Sequence, residues 1–162
     1  MTTLTLDRTS TASNALTSLL ATDRSPALFA IRVALGVVML PHGLQKVFGW
    51  FGGYGLQGTL GGFASMGIPA IFGILAIAAE FAGGLALIAG LGTRVAAFGI
   101  GATMAVAVLL VHGGNGFFMN WAGNQKGEGF EYHILAIAMS LALILGGAGR
   151  WSLDRVLSAR KQ

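Results

Sequence analysis

Residues 79–94 read AEFAGGLALIAGLGTR, and this stretch decides the fold. Glu80 is followed by apolar and small residues up to Ala89. Leu91-Gly92-Thr93-Arg94 then places a glycine C-cap directly before a threonine N-cap. Two apolar helices joined by so short a turn run antiparallel, which predicts a hairpin of membrane spans at about 68–91 and 93–112. Pro69 sits at the first turn of the earlier span, where a helix tolerates it.

Composition places the rest of the chain in the same solvent. Of 162 residues, 54% are hydrophobic and only 10% charged, too little polar surface for a water-exposed domain. Ten Lys and Arg stand against six Asp and Glu, but they flank apolar runs and form no basic patch, so nucleic acid is excluded as a partner and lipid favoured. The chain has no cysteine, which removes disulfide exchange, thiolate metal sites and iron–sulfur ligation from its own repertoire.

Working outward, ALFAIRVALGVVMLPHGLQKVF forms a span at about 27–48, with Ser25 as N-cap and Pro26 in the first turn. Arg32 lies inside this span and is expected to snorkel toward the headgroups. Residues 49–67 hold eight glycines with Trp50, Phe51, Tyr54 and Phe63, and read as an interfacial, partly re-entrant loop. A fourth span is expected at about 130–147, ended by Gly146 and Gly147. The expectation is an all-α, antiparallel four-helix membrane bundle over 26–149, with a disordered polar tail at 1–25 and a basic tail at 150–162. Eight of ten basic residues fall on the side of the termini and only Lys46 and Lys126 opposite, so both termini are expected in the cytoplasm and both long loops outside, in a multi-pass protein of the inner membrane.

Chemistry concentrates in residues 112–133, HGGNGFFMNWAGNQKGEGFEYH. Together with His42, the histidines His112 and His133 end three spans on the loop side, near Glu128, Glu131 and Tyr132. Glu80 lies mid-span, where a carboxylate costs roughly 2.5–3.5 kcal/mol and must face protein. Gly73, Ala76, Gly83, Gly84 and Leu87 share its face, while Gly101, Ala105, Val108 and His112 form a second stripe and His133, Ala136 and Ser140 a third. Glu80 reads either as a hydrogen-bonding partner of a neighbouring helix or as a group that handles protons or ligand. The histidines read as metal or haem ligands, as groups around a quinone headgroup, or as interfacial structure. Because no H-x-x-x-H or E-x-x-H pair occurs, no metal or haem site is assigned. Trp50 and Trp121 read first as interface anchors. Gly127 and Gly129 of KGEG do not make a phosphate loop, since no strand precedes them.

PHGLQKVFG in the first span, AEFAGGLALIAGLGTR across the hairpin and GFFMNWAGNQKGEGFEYHILAIAMSLAL into the fourth together resemble the DoxX family, over about residues 26–155. The resemblance implies a small four-helix inner-membrane protein. It also implies a link to quinone chemistry, because the family takes its name from a subunit associated with a thiosulfate:quinone oxidoreductase, and a soluble redox enzyme as partner. The matching positions are His42, Lys46, Glu80, Thr93, Arg94, His112, Asn120, Trp121, Glu128, Glu131, Tyr132 and His133. The function expected is a subunit of a quinone-linked oxidoreductase, with Glu80, His112 and His133 catalytic and His42, Trp121, Glu128, Glu131 and Tyr132 around the headgroup. The segment 113–129 is expected to close over that site as a lid fixed by Trp121. A non-catalytic scaffold for a soluble redox enzyme is the alternative. A transporter would require a homo-oligomer, since four spans rarely enclose a pathway alone.

Overall fold

The computed structural model describes residues 18–159, all helical or irregular, with no strand among them. Helix α1 runs Pro26–Phe48, continuing through Pro41. Ser25 Oγ accepts from Leu28 N at its start, and Gly49, at φ 73°, ends it. A single turn at Trp50–Gly52 leads to α2, Gly55–Ser65, followed by α3, Ala70–Ala89, and α4, Thr93–Ala107. The last turn of α4 widens to π geometry over Val108–His112 and a tight turn follows at Gly113–Asn115. Helix α5 is Glu131–Gly146 and α6 is Leu153–Ala159.

Three segments are long and apolar enough to cross a bilayer: Pro26–Phe48, Ala70–Ala89 and Thr93–Asn115. Helix α5, expected over 130–147, is a shorter apolar helix of 16 residues. At 1.5 Å per residue it is about 24 Å long, less than a hydrocarbon core of about 30 Å. It still joins the same interior: Leu35 and Met39 of α1, Leu87 of α3, Ala97, Ile100 and Met104 of α4, and Ala136 and Leu143 of α5 form one buried cluster.

Small residues set how closely the helices approach. A Cβ on Gly43 of α1 would run into the backbone of Phe81, and one on Gly36 would lie 2.8 Å from Gly84 O, so α1 and α3 pack backbone to backbone. On α3 the buried face is Gly73, Ile77, Glu80, Gly83, Gly84 and Leu87, with Ile77 where the stripe suggested Ala76. On α4 it is Thr93, Ala97, Ile100 and Met104, one position off the expected Gly101–Ala105 line. Gly101 instead faces Ser140 of α5, whose Cβ would lie 3.0 Å from a Cβ placed on Gly101.

Three expectations from the sequence are corrected. The glycine-rich loop at 49–67 contains a helix, because Leu60 and Phe63 of α2 seat over Gly73 of α3 and this packing outweighs the poor helix propensity of glycine. Arg32 does not snorkel: it is 0% exposed, with Nε donating to Ala148 O at 2.9 Å, Nη1 to Leu87 O and to Ile88 O at 2.8 Å, and Nη2 to Trp151 O at 3.0 Å. It thereby caps the carbonyls that the end of α3 leaves open. The flanking tails are not wholly free either. Asp154 accepts from Gly92 N at 2.7 Å and Thr93 N at 2.9 Å, capping α4 from outside its own helix. Arg94 donates to Ile144 O, to Leu145 O at 2.9 Å and to Ala21 O at 3.0 Å, and Asp23 N donates to Gly146 O, which ties residues 21–23 to the end of α5. The remainder of the expected tails, residues 1–17 and 160–162, lies outside the described residues.

Candidate functional site

At the end of the helices opposite Arg32 and Asp154, polar side chains converge from four elements. Glu80, midway along α3, is 4% exposed and pairs with Lys46 in the last turn of α1, Nζ lying 2.6 Å from Oε2. The contact is an ion pair without the alignment of a hydrogen bond, so Oε2 keeps acceptor capacity. His42 stands one helical turn before Lys46 on the same helix.

From there the rings form a row. His42 and Tyr132 have centroids 6.1 Å apart, Tyr132 and His133 5.5 Å, and His133 and His112 4.2 Å. His42 stands at the exposed rim of this row, whereas His133 is 5% exposed. The widened π turn carries His112 toward α5, a local device that recurs at functional sites. Its Nδ1 lies 2.8 Å from Glu128 O; a carbonyl can only accept, so Nδ1 carries the proton and Nε2 is the free acceptor. Tyr132 Oη and His133 Nδ1 are buried without partners, as are Glu80 Oε2 and, deeper, Ser140 Oγ. Thr93 Oγ1 and Arg94 Nε are orphaned at the other end, but on residues bonded through other atoms; buried polar atoms normally find partners, so Tyr132 Oη and His133 Nδ1 side by side in the row mark a site built for something other than stability.

The loop 113–129 folds back on itself to reach this row. Phe130 N and Glu131 N donate to Gly116 O and Phe117 O, and Gly129 has no room for a side chain against the carbonyls of Gly116–Phe118. The Glu128 carboxylate accepts from Asn120 N at 2.7 Å, so Glu128 reaches His112 through its backbone and holds the loop with its side chain. Trp121 does not fix the segment in the interior: it is 88% exposed, which suits an indole that belongs at the headgroup level. Beside the row, Phe117, Met119, Trp121, Glu131, Tyr132, Ile134 and Leu135 line a mostly apolar cleft of about 410 Å³. No cluster of three or more metal-binding side chains occurs among the described residues.

Sequence reasoning missed two features here. The partner of Glu80 is Lys46, which the sequence marked as a loop-side charge and a family position but not as a partner of Glu80; the signal was that a mid-span acid requires a cation and few are available in the spans. The second is another cleft, of about 350 Å³, between the end of α1 and α2, lined by Gln45, Lys46, Gly52, Tyr54, Thr59 and Gly62 among others. It could not be seen while residues 49–67 read as loop.

A DoxX family profile matches residues 27–113, from the start of α1 through His112. The chain belongs to the DoxX family. Curated relatives of this DoxX protein cover most of its length. It is 34% identical to an uncharacterized membrane protein of Mycobacterium tuberculosis, over 88% of both chains. It is 30% identical to a Bacillus subtilis protein named "Putative oxidoreductase CatD", over 70% of this chain and 75% of that one. It is 33% identical to the inner membrane protein YqjF of Escherichia coli, over 80% of this chain and 90% of that one. No solved structure matches the chain. Family membership, the three long apolar segments and these relatives make it a protein of the membrane.

Proposed function

We propose that this protein holds a quinone headgroup in the cleft beside Tyr132 and serves a partner oxidoreductase at the membrane. One observation carries the reading: Tyr132, whose Oη is buried without a partner, lines a mostly apolar cleft of about 410 Å³, a combination that suits a planar headgroup with a carbonyl oxygen, and the equally unpartnered His133 Nδ1 lies behind it in the row. Phe117, Met119, Ile134 and Leu135 give the ring and an isoprenoid tail apolar walls, and Ile134 and Leu135 are exposed on the outside of α5, where a tail would leave into lipid. The oxidoreductase name of the Bacillus relative points the same way.

A bound quinone would supply two-electron, two-proton redox chemistry. In this arrangement Tyr132 Oη donates to one carbonyl oxygen, His133 Nδ1 exchanges a proton at the site, and His112, its tautomer held by Glu128 O, keeps an acceptor nitrogen toward His133. Glu80, paired with Lys46, supports the row from beneath. Without cysteine the chain has no thiol or iron–sulfur route for electrons, so the partner delivers them. The two-sided topology with cytoplasmic termini belongs to this proposal and places the cleft at the outer face.

Trp121 lines the cleft and makes the test direct. Titrating the protein in phospholipid vesicles with a short-chain benzoquinone should quench its fluorescence, and Trp121→Phe, Tyr132→Phe and His133→Leu should each abolish the saturable part. Quenching that is linear and unchanged in all three would sink the proposal. It would leave the scaffold reading, which the exposed Phe118, Trp121, Phe51 and Tyr54 at the same end also suit.

A further inference from the structure

We propose that the Lys46–Glu80 ion pair is the proton entry of this site, drawing protons from the cleft between α1 and α2 and delivering them to the tyrosine–histidine row. The inference deepens the quinone reading by naming the source of its protons, and it stands on geometry that the headgroup cleft does not share. Lys46 lines the α1–α2 cleft and is partly exposed there, yet its Nζ is 2.6 Å from an oxygen of Glu80 that is otherwise sealed from solvent. It is thus the one side chain shown to touch both the open cleft and the buried carboxylate. The cleft, at about 350 Å³, has room for several waters of about 30 Å³ each, and Gln45, Tyr54 and Thr59 give it polar walls.

On the inner side, His42 stands one helical turn before Lys46 on α1 and begins the row that continues through Tyr132, His133 and His112. The two clefts share no lining residue, so the row and the ion pair lie between them. A pair kept only for stability has little reason to be ionic at this depth, because apolar residues of the same size hold helices as well.

Each transfer balances. Lys46 passes an Nζ proton to Glu80 Oε2, turning ammonium and carboxylate into amine and carboxylic acid. Hydronium in the cleft returns a proton to the amine. The neutral acid then gives its proton to the row, Tyr132 Oη passing on its own proton as it receives one and His133 Nδ1 taking the proton to become an imidazolium, and the original ion pair is restored. The net result is one proton moved from cleft water to the row.

The test uses ligand-free, full-length protein labelled with 15N-histidine in phospholipid vesicles, transferred to D2O, with deuterium entry at the His133 ring followed by NMR. Lys46→Met should slow that entry by about tenfold or more. Gly62→Phe should do the same while leaving the ion pair in place, because a Cβ on Gly62 meets nothing within 4 Å and a ring there fills the cleft. Should Lys46→Met fail to fold, Gly62→Phe carries the test alone. Equal rates in wild type and Gly62→Phe would overturn the proposal. Benzoquinone quenching of Trp121 separates the two readings: slowed exchange with no quenching in wild type keeps the entry and removes the quinone, whereas saturable quenching with unchanged exchange removes the entry alone.

Discussion

The two ends of this helix assembly bury similar chemistry and treat it differently. At the terminal end, Arg32 donates to four carbonyls and Asp154 accepts from two amides, and the orphaned atoms there, Thr93 Oγ1 and Arg94 Nε, sit on residues that bond through their other nitrogens. At the loop end, Glu80 has a single ion-pair partner, and Tyr132 Oη and His133 Nδ1 have none. Saturation belongs to an architecture that must not move. Orphaned groups at comparable depth weaken the fold, and their presence is best understood as capacity held for a ligand or a proton.

That contrast can be broken most directly at Arg32. Arg32→Leu should lower stability by about 3–5 kcal/mol, since it takes the donor from four carbonyls, those of Leu87, Ile88, Ala148 and Trp151, at a buried helix end. Reversible unfolding in mixed micelles would measure it, and a loss below that of an ordinary surface change would mean the terminal end is not the structural anchor. Next comes Gly43→Ala, whose methyl group meets the Phe81 backbone and should cost about 1–3 kcal/mol by separating α1 from α3. Because the same shift would pull Lys46 from Glu80, this variant should also weaken benzoquinone quenching. Asp154→Asn keeps one acceptor oxygen but removes the charge at the start of α4, and about 1–2 kcal/mol is expected in the same unfolding measurement, with quenching unchanged. The smallest effect on stability is the most telling: Tyr132→Phe should change it by less than about 1 kcal/mol, or raise it, because the hydroxyl it removes has no partner. The same substitution should abolish saturable quenching. If it destabilised the protein as strongly as Asp154→Asn, the hydroxyl would be structural and the contrast between the ends would disappear.

The sequence was most informative where bulk physics dominates. Apolar run lengths located the three long spans, the Gly92–Thr93 turn located their hairpin, and the cost of a mid-span acid required Glu80 to face protein. It was least informative where the outcome depends on which distant segment arrives. Snorkelling and capping are equally open to an arginine near a helix start, and only the return of residues 148–154 over that end selects capping for Arg32. The helix in residues 55–65 was hidden because its glycines argue against it locally and its support comes from Gly73, across the turn. Of the candidate site, the gathering of His112, His133 and Tyr132 at one end followed from span order. The π turn that brings His112 to His133, and the pairing of Glu80 with Lys46, have no periodic signal.

The reach of Arg32 also has a consequence for synthesis. Its bonds to Ala148 and Trp151 join residues 116 and 119 positions apart, so α1 waits for residues translated long after it. Until these emerge, the nascent chain holds a guanidinium at the edge of the bilayer with two of its four acceptors not yet made. A ribosome that stops before Ala148 would release three apolar segments with an unfinished lock, and the arrival of residues 148–151 is the event that closes it.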